Sequence, residues 1–111
     1  MHPVDIHLDS SSGTLAIRWS DDRTSRFALK FLRGWCPCAM CQGHFAAEMT
    51  WQGSAPAELE TVEPVGSYAI RPVWADGHKS GMFAYEYLRR IEHEAPGDGP
   101  SNADLLAAVD A

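Results

Sequence analysis

The 111-residue chain has the length of one domain, is 45% hydrophobic and carries a formal net charge of −6. This composition indicates a globular protein whose small core would benefit from a metal cross-link. The acidic excess argues against binding to nucleic acid or to an anionic membrane, because both need surplus lysine and arginine. No run of residues matches a membrane span and the N-terminus lacks a secretory signal pattern, so we expect a cytoplasmic protein.

The first third of the chain predicts three strands and a short helix. Apolar residues alternate with polar ones over residues 4–8 and again over 15–19, which predicts two strands. A third strand should return through Phe27 after a turn at Asp21-Asp22. The apolar positions that follow predict a short helix, which Gly34 should stop.

The middle of the chain predicts an irregular segment followed by a second hairpin. Few periodic signals occur over residues 46–56, whereas residues 59–65 and 68–74 are typical of strands. Pro72 cannot donate to a strand ladder, so it indicates a bulge or an edge. The sequence Ala75-Asp76-Gly77 is a strong turn signal.

The last third predicts a helix, a linker and a tail. The helix should end near Glu94 and has one apolar face, formed by Phe83, Tyr87, Leu88 and Ile91. Residues 95–100 are rich in proline and glycine, and residues 101–111 are too short to form a stable helix alone. We therefore predict one folded domain over residues 1–94, then a linker and a short, loosely docked C-terminal tail over 95–111.

Residues 16–33 and 69–89 share a similar order of residue types. With two residues inserted before Trp74 and one before Phe83, the matched pairs are Ala16/Ala69, Ile17/Ile70, Arg18/Arg71, Trp19/Trp74, Asp21/Asp76, Ser25/Ser80, Phe27/Phe83, Ala28/Ala84, Leu32/Leu88 and Arg33/Arg89. We interpret this as a strand–turn–strand–helix unit used twice, which predicts a small single α+β domain around a sheet. His78 takes the place of Arg23, so it should lie near the loop after the first helix if the hairpins share a sheet.

All three cysteines lie in the stretch GWCPCAMCQGH, at Cys36, Cys38 and Cys41. Three thiols cannot all pair, and a Cys-x-Cys disulfide would close a strained ring. In a reducing compartment such clustering indicates metal or redox chemistry. Pro37 restricts the loop and Gly43 lets the chain turn away, so less chain entropy is lost when a metal binds.

A tetrahedral zinc site needs a fourth ligand, and spacing alone leaves His44 and His78 open. His2, His7 and His93 are weaker candidates. The pattern His7-x-Asp9 matches two ligands of an iron facial triad, but an oxygenase barrel needs far more chain, so we interpret these as solvent-facing strand residues.

Two alternatives leave metal out. The thiols could be reduced and buried, although their clustering beside proline and glycine argues against this. Cys36 and Cys38 could serve a thiol redox enzyme, but the strand–CxxC–helix order of thioredoxins is absent. Neither a glycine-rich phosphate loop nor a Ser-His-Asp signature occurs in the sequence. We therefore predict no catalytic residues, and the sequence favours a non-enzyme over an enzyme.

The runs LRGWCPCAMCQG and VEPVGSYAIRPVWADGHKSGMFAYEYLRRI resemble the gamma-butyrobetaine hydroxylase-like N-terminal domain family, long catalogued as a bacterial domain of unknown function. The resemblance covers Leu15 to Ile91. It implies a small α+β unit that precedes the catalytic barrel in the oxygenase of carnitine biosynthesis and binds zinc there through three cysteines and one histidine. By position, the implied metal ligands are Cys36, Cys38, Cys41 and His78.

The family also occurs as stand-alone bacterial proteins and fused to Mrp-type iron–sulfur scaffold ATPases. This chain resembles the stand-alone form, and without the barrel no hydroxylase activity carries over. We therefore predict a non-catalytic zinc (Zn²⁺) domain that is structural or docks to a partner enzyme, of the oxygenase or scaffold-ATPase type. The alternative is iron or iron–sulfur cluster handling, since three thiolates and a histidine also suit iron. The sequence is compatible with a homo-oligomer and names no substrate.

Overall fold

The structure is a computed structural model that describes residues 1–43 and 49–111. Its elements in chain order are β1 (Pro3–Asp9), β2 (Thr14–Trp19), β3 (Thr24–Ala28), α1 (Leu29–Gly34), α2 (Ala39–Gln42), β4 (Leu59–Val65), β5 (Ala69–Trp74), β6 (Phe83–Ala84), α3 (Tyr85–Ile91) and α4 (Asn102–Asp110). The predicted α+β class is confirmed. The strands form two antiparallel three-stranded sheets, β1-β2-β3 and β4-β5-β6, so each predicted unit has a sheet of its own.

The two units repeat each other strand by strand. Pro3 at the start of β1 pairs with Trp19, and Leu59 at the start of β4 pairs with Trp74. In both pairs the register shifts just after this first residue, so the same irregularity occurs twice. The repeat therefore includes β1 and β4, which sequence comparison did not detect.

The strand register corrects the alignment of the repeat. Leu15 pairs with Phe27 in the first sheet, and Ile70 pairs with Phe83 in the second. Leu15 therefore corresponds to Ile70, and β2 and β5 have equal length. The predicted two-residue insertion before Trp74 is therefore wrong. Equivalent positions are defined by strand pairing, and by that criterion the two Ala-Ile-Arg triplets are offset by two residues.

The hairpin turns of the two units are nearly identical. The Trp19 amide donates to the Arg23 carbonyl at 2.8 Å, and the Trp74 amide donates to the His78 carbonyl at 3.0 Å. The third residue after each tryptophan has positive φ, with Asp22 at 66° and Gly77 at 92°. The predicted equivalence of Arg23 and His78 is thus confirmed. 

Pro72 and Gly34 lie where the sequence predicts, in a strand and at a helix end, but the structure gives different physical reasons for their positions. The β6 strand pairs only with Ala69 and Ile70, so Pro72 lies where β5 has no strand partner on that side. Gly34 ends α1 as predicted, but not through a left-handed conformation. A side chain there would collide with the ring of Trp51, which packs directly against the glycine.

The core forms between the two units. Its largest fully buried side chains include the equivalent pairs Trp19/Trp74, Phe27/Phe83 and Leu32/Leu88. Burial of each such side chain contributes about 1.5–3 kcal/mol before the entropy cost of folding. The two sheets are thus held together by side chains rather than by a shared hydrogen-bonded ladder.

The C-terminal region is more ordered than the sequence suggested. The helix α3 ends at Ile91, and Phe83 belongs to β6 rather than to the helix. Within residues 101–111 the chain forms α4, whose capping box joins Ser101 and Asp104.

The α4 helix docks on β3 through its first and last residues. Asn102 is 3% exposed, and its side chain accepts from the Ala28 amide at 3.1 Å and donates to the Arg26 carbonyl at 2.7 Å. Arg26 pairs with Asp110 at 2.8 Å. The tail is therefore tied to the first sheet at both ends, rather than loosely docked as the sequence predicts.

The connecting segment before α4 packs on the tryptophan that precedes the cysteines. The Trp35 indole donates to the Pro100 carbonyl at 3.2 Å. A β-carbon at Gly97 would lie 2.6 Å from the Met49 carbonyl oxygen. Only glycine fits at position 97.

None of the helices found among residues 1–43 and 49–111 has the length and apolar character needed to cross a bilayer.

Candidate metal centre

Four side chains from two separated segments meet at one point beside the core. The sulfurs of Cys36, Cys38 and Cys41 lie 3.5, 3.6 and 3.5 Å from His78 Nε2. All four atoms lie within 4.8 Å of one another. The four residues predicted as ligands are therefore adjacent in space.

The cysteine loop gains its shape from the end of α1 and from α2. Cys36 follows the helix by two residues, and its amide donates to the Arg33 carbonyl at 3.4 Å. The α2 turn begins when the amide of Cys41 donates to the Cys38 carbonyl at 3.2 Å. This turn places Cys38 and Cys41 one helical step apart, so both sulfurs point to the same side.

Gln42 braces the loop and was not identified from the sequence. Its side-chain amide donates to the carbonyls of Cys36 and Thr50, each at 3.0 Å. Its side-chain oxygen accepts from the Thr50 amide at 2.6 Å. A glutamine next to a cysteine is a weak sequence signal, because its partners are set by the fold.

The β5–β6 turn presents His78 to the sulfurs. Asp76 Oδ1 accepts from the His78 amide at 3.2 Å. The same carboxylate pairs with both terminal nitrogens of Arg33 on α1, at 3.0 and 2.9 Å. The turn is therefore fixed to the helix that leads into the cysteine loop.

The segment after His78 closes over the sulfurs. Ser80 Oγ donates to Cys38 Sγ at 3.2 Å. A β-carbon at Gly81 would lie 2.5 Å from Cys36 Sγ. Position 81 must therefore be glycine for Cys36 to occupy its place.

Burial and hydrogen bonding give the three thiols different pKa values. Burial raises the pKa of Cys36, whose residue is fully buried. Burial also raises the pKa of Cys41, together with the hydrogen bond to Cys38. Burial opposes ionisation of Cys38 as well, but hydrogen bonds from Ser80 and the Cys41 amide outweigh it and lower its pKa.

The histidine is held in its neutral form. Burial lowers the pKa of His78, and the nearby charge of Arg33 lowers it further against the effect of Asp76. A neutral imidazole is the form that binds metal. The Arg33 charge also favours the thiolate of Cys41.

The spacing of these atoms fits a single tetrahedral ion. Zinc–sulfur and zinc–nitrogen bonds of about 2.3 and 2.0–2.1 Å put sulfur and nitrogen about 3.6 Å apart at a tetrahedral angle. The three observed distances of 3.5–3.6 Å match this value. The arrangement can therefore hold one ion between donors from both units.

The remaining histidines have separate positions. His44 lies outside the described residues. Within the described part of the chain, His2, His7 and His93 belong to no comparable cluster of ligating groups. Asp9, the partner of His7 in the iron-triad pattern, accepts from Ser11 Oγ at 2.7 Å in the turn after β1.

A comparison with protein-family models matches residues 6–89 to the family described as gamma-butyrobetaine hydroxylase-like, N-terminal. The chain belongs to this family. The match covers most of both units and all four clustered residues, and it confirms the resemblance read from the sequence.

Solved structures include relatives of this gamma-butyrobetaine hydroxylase-like N-terminal domain. A protein of unknown function of the DUF971 family from Acidithiobacillus ferrooxidans is 33% identical, with 84% of this chain and 94% of that chain covered and a TM-score of 0.66. A protein solved by NMR is 30% identical, with coverage of 99% and 85% and a TM-score of 0.60. Another NMR structure, 22% identical with coverage of 81% and 67% and a TM-score of 0.64, shares the fold. A comparison with curated proteins found no match.

Proposed function

We propose that this domain binds one zinc ion through Cys36, Cys38, Cys41 and His78, and that the ion is structural. It would tie the cysteine loop of the first unit to the β5–β6 turn of the second. The observation that supports this most directly is the near-equal distance of all three sulfurs from His78 Nε2, at 3.5–3.6 Å.

The donor set favours a non-catalytic role. Three thiolates and one imidazole complete a tetrahedral zinc sphere, whereas catalytic zinc keeps one position for water or substrate. Ser80 and Gly81 pack against the sulfurs of Cys38 and Cys36. The four ligands would therefore complete the coordination of the ion, and Ser80 and Gly81 would pack against two of the ligand sulfurs.

The same donors suit iron, so iron is the alternative occupant. The spacing favours a single ion over a cluster, because a cluster places several iron and sulfide atoms between its protein ligands. Ligand atoms that all lie within 4.8 Å leave room for one ion. A mononuclear iron site is thus the form of the alternative that the geometry supports.

Elemental analysis tests the metal assignment. The wild-type protein should be expressed without added metal, purified anaerobically and analysed for zinc and iron beside Cys38→Ser and His7→Ala. We expect one equivalent of zinc and no visible absorption in the wild type and His7→Ala, and a strong loss of zinc in Cys38→Ser. A metal-free wild type, or Cys38→Ser with full zinc, would refute the proposal. Stoichiometric iron in the wild type would favour the mononuclear iron site over the zinc site.

We also propose that the domain docks to a partner enzyme. The family is named for the N-terminal part of gamma-butyrobetaine hydroxylase-like proteins, which supports a role beside a larger catalytic unit. The partner classes are an oxygenase barrel and an Mrp-type iron–sulfur scaffold ATPase. Titration calorimetry of the loaded domain with one purified protein of each class from the same genome should give binding to one of them. Absence of binding to both would contradict this part of the proposal.

A further inference from the structure

We propose that the ion pair between Arg33 and Asp76 is the positioning element of the metal centre. It fixes the turn that carries His78 against the helix that leads to Cys36, and its guanidinium balances the charge of the loaded centre. This inference rests on the proposed metal binding by the same site.

The pair connects the two ligand-bearing segments without using a ligand atom. Arg33 stands three residues before Cys36, and Asp76 stands two residues before His78. Both terminal nitrogens of Arg33 bind the Asp76 carboxylate, at 3.0 and 2.9 Å. The same carboxylate accepts from the His78 amide, so the contact extends to the backbone of the ligand itself.

The Arg33 guanidinium is almost completely buried, unlike the charged group of an ordinary surface ion pair. The Arg33 side chain is 8% exposed and lies over the Trp74 ring at 5.5 Å. Its Nε is buried and has no hydrogen-bond partner among the described residues. Burial of a charge with a donor left unsatisfied is costly unless another interaction compensates it.

The loaded centre supplies that compensation. A dipositive ion bound by three thiolates and a neutral imidazole has a net charge of about −1. The Arg33 guanidinium is held by Asp76, whose carboxylate also accepts from the His78 amide, so its positive charge lies beside the centre. An arginine in this place therefore offsets the charge of the centre and holds its distant ligand in position, as groups outside the coordination sphere commonly do.

A similar pair lies at the equivalent place of the repeat, between the helix of the second unit and the hairpin turn of the first. Arg89 lies over the Trp19 ring at 5.4 Å and contacts Asp21 at 3.1 Å. These residues are equivalent to Arg33, Trp74 and Asp76, and the described residues around them hold no cluster of ligating groups. Disruption of this second pair is thus a matched control for the general effect on folding.

The test compares zinc affinity, measured by competition with a chelator, in wild type, Arg33→Gln, Arg33→Lys and Arg89→Gln, with a melting curve for each. We expect Arg33→Gln to lose about ten- to a hundredfold in affinity, the range typical of groups just outside a metal's ligands. Arg89→Gln should melt earlier and keep its affinity. Arg33→Lys keeps the charge but not the paired geometry, so its affinity should lie between those of wild type and Arg33→Gln.

Equal affinities in Arg33→Gln and Arg89→Gln would overturn the proposal, and Arg33→Lys as weak as Arg33→Gln would overturn its charge-balancing part. If Arg33→Gln does not fold, Asp76→Asn and Asp21→Asn form the equivalent pair, with the same expected contrast. With cobalt in the site, Asp76→Asn but not Asp21→Asn should change the thiolate-to-metal absorption, and unchanged spectra in both would count against the proposal. A wild type that binds no metal refutes the proposed function itself, which separates the two failures.

Discussion

The two units share one scaffold, but different side chains fill the space between the helix end of one unit and the hairpin turn of the other. In the first-unit turn, Ser25 accepts from the Trp19 indole and donates to Glu92, both at 2.7 Å. In the second, the equivalent Ser80 donates to Cys38. Glu92 follows Arg89 by three residues, as Cys36 follows Arg33.

Each gap therefore lies between the end of one unit's helix and the hairpin turn of the other. One gap is closed by an indole, a hydroxyl and a carboxylate, and the other by three sulfurs and an imidazole. Among the residues that the structure describes, the gap at Trp19, Ser25 and Glu92 closes without a cluster of potential metal ligands. The four candidate metal ligands therefore distinguish one of two equivalent places on a scaffold that both units share.

The largest effect should follow from removal of the ion. Structural zinc supplies about 10–16 kcal/mol of binding free energy in small zinc domains, which is comparable to the whole stability of a domain. A chelator should therefore abolish hydrogen-exchange protection first at the 75–78 turn, while the equivalent 20–23 turn stays protected longer. Equal loss in both turns would show that the two halves do not differ in their dependence on metal.

A smaller but still large effect is expected from Gly81→Ala. The added methyl group would lie 2.5 Å from Cys36 Sγ, so the sulfur must move. Overpacking of this kind costs about 1–3 kcal/mol, and here it should also weaken zinc affinity. Met82→Ala is the control, because that side chain is 51% exposed and should alter neither quantity. Wild-type affinity in Gly81→Ala would show that the loop adapts.

The gap between Trp19, Ser25 and Glu92, where the described residues form no cluster of candidate metal ligands, can be weakened separately by Ser25→Ala. This change leaves the Trp19 indole and the Glu92 carboxylate without their shared partner, which should cost about 1–3 kcal/mol. Zinc stoichiometry and affinity should stay unchanged. Denaturant unfolding gives the free energy of unfolding, and a chelator titration checks the metal; a fall in zinc affinity would mean that the halves are coupled.

The smallest effect concerns pH and the C-terminal helix. The hydrogen bond from Arg26 lowers the pKa of Asp110, against the opposing effect of burial. Because the folded pKa lies below the ordinary value of 3.8, this contact stabilises α4 above that value and is lost as pH falls through the folded pKa. The protection factors of the α4 amides, which correct for the slower intrinsic exchange in acid, should therefore fall at low pH in the wild type. Asp110→Asn should have lower α4 protection factors at neutral pH, and these should change less on acidification.

Local signals in the sequence account for much of the fold. The alternating strands and the turn at residues 75–77 are correct because short-range turn chemistry and side-chain period determine them. The four clustered residues were reached through the family motif, since spacing alone could not separate His44 from His78. The distance between His78 and the cysteines depends on packing of two distant units, which no local pattern encodes.

The features that sequence reasoning missed depend on long-range contacts. The repeat was aligned by its Ala-Ile-Arg triplets, whereas the structure aligns Leu15 with Ile70 through their partners on the next strand. The docking of α4 depends on Asn102 meeting the backbone of β3. The roles of Gln42 and Arg33 likewise appear only once the loops are in place.

The glycine at position 97 makes the two equivalent helix ends unequal as places for a metal ligand. Counted from the equivalent arginines, Gly97 occupies the position that Cys41 holds in the other unit, and any side chain there would strike the Met49 carbonyl oxygen. Among the described residues a four-donor cluster therefore occurs at one of the two equivalent places, and a side chain at position 97 could not complete the other without displacing Met49.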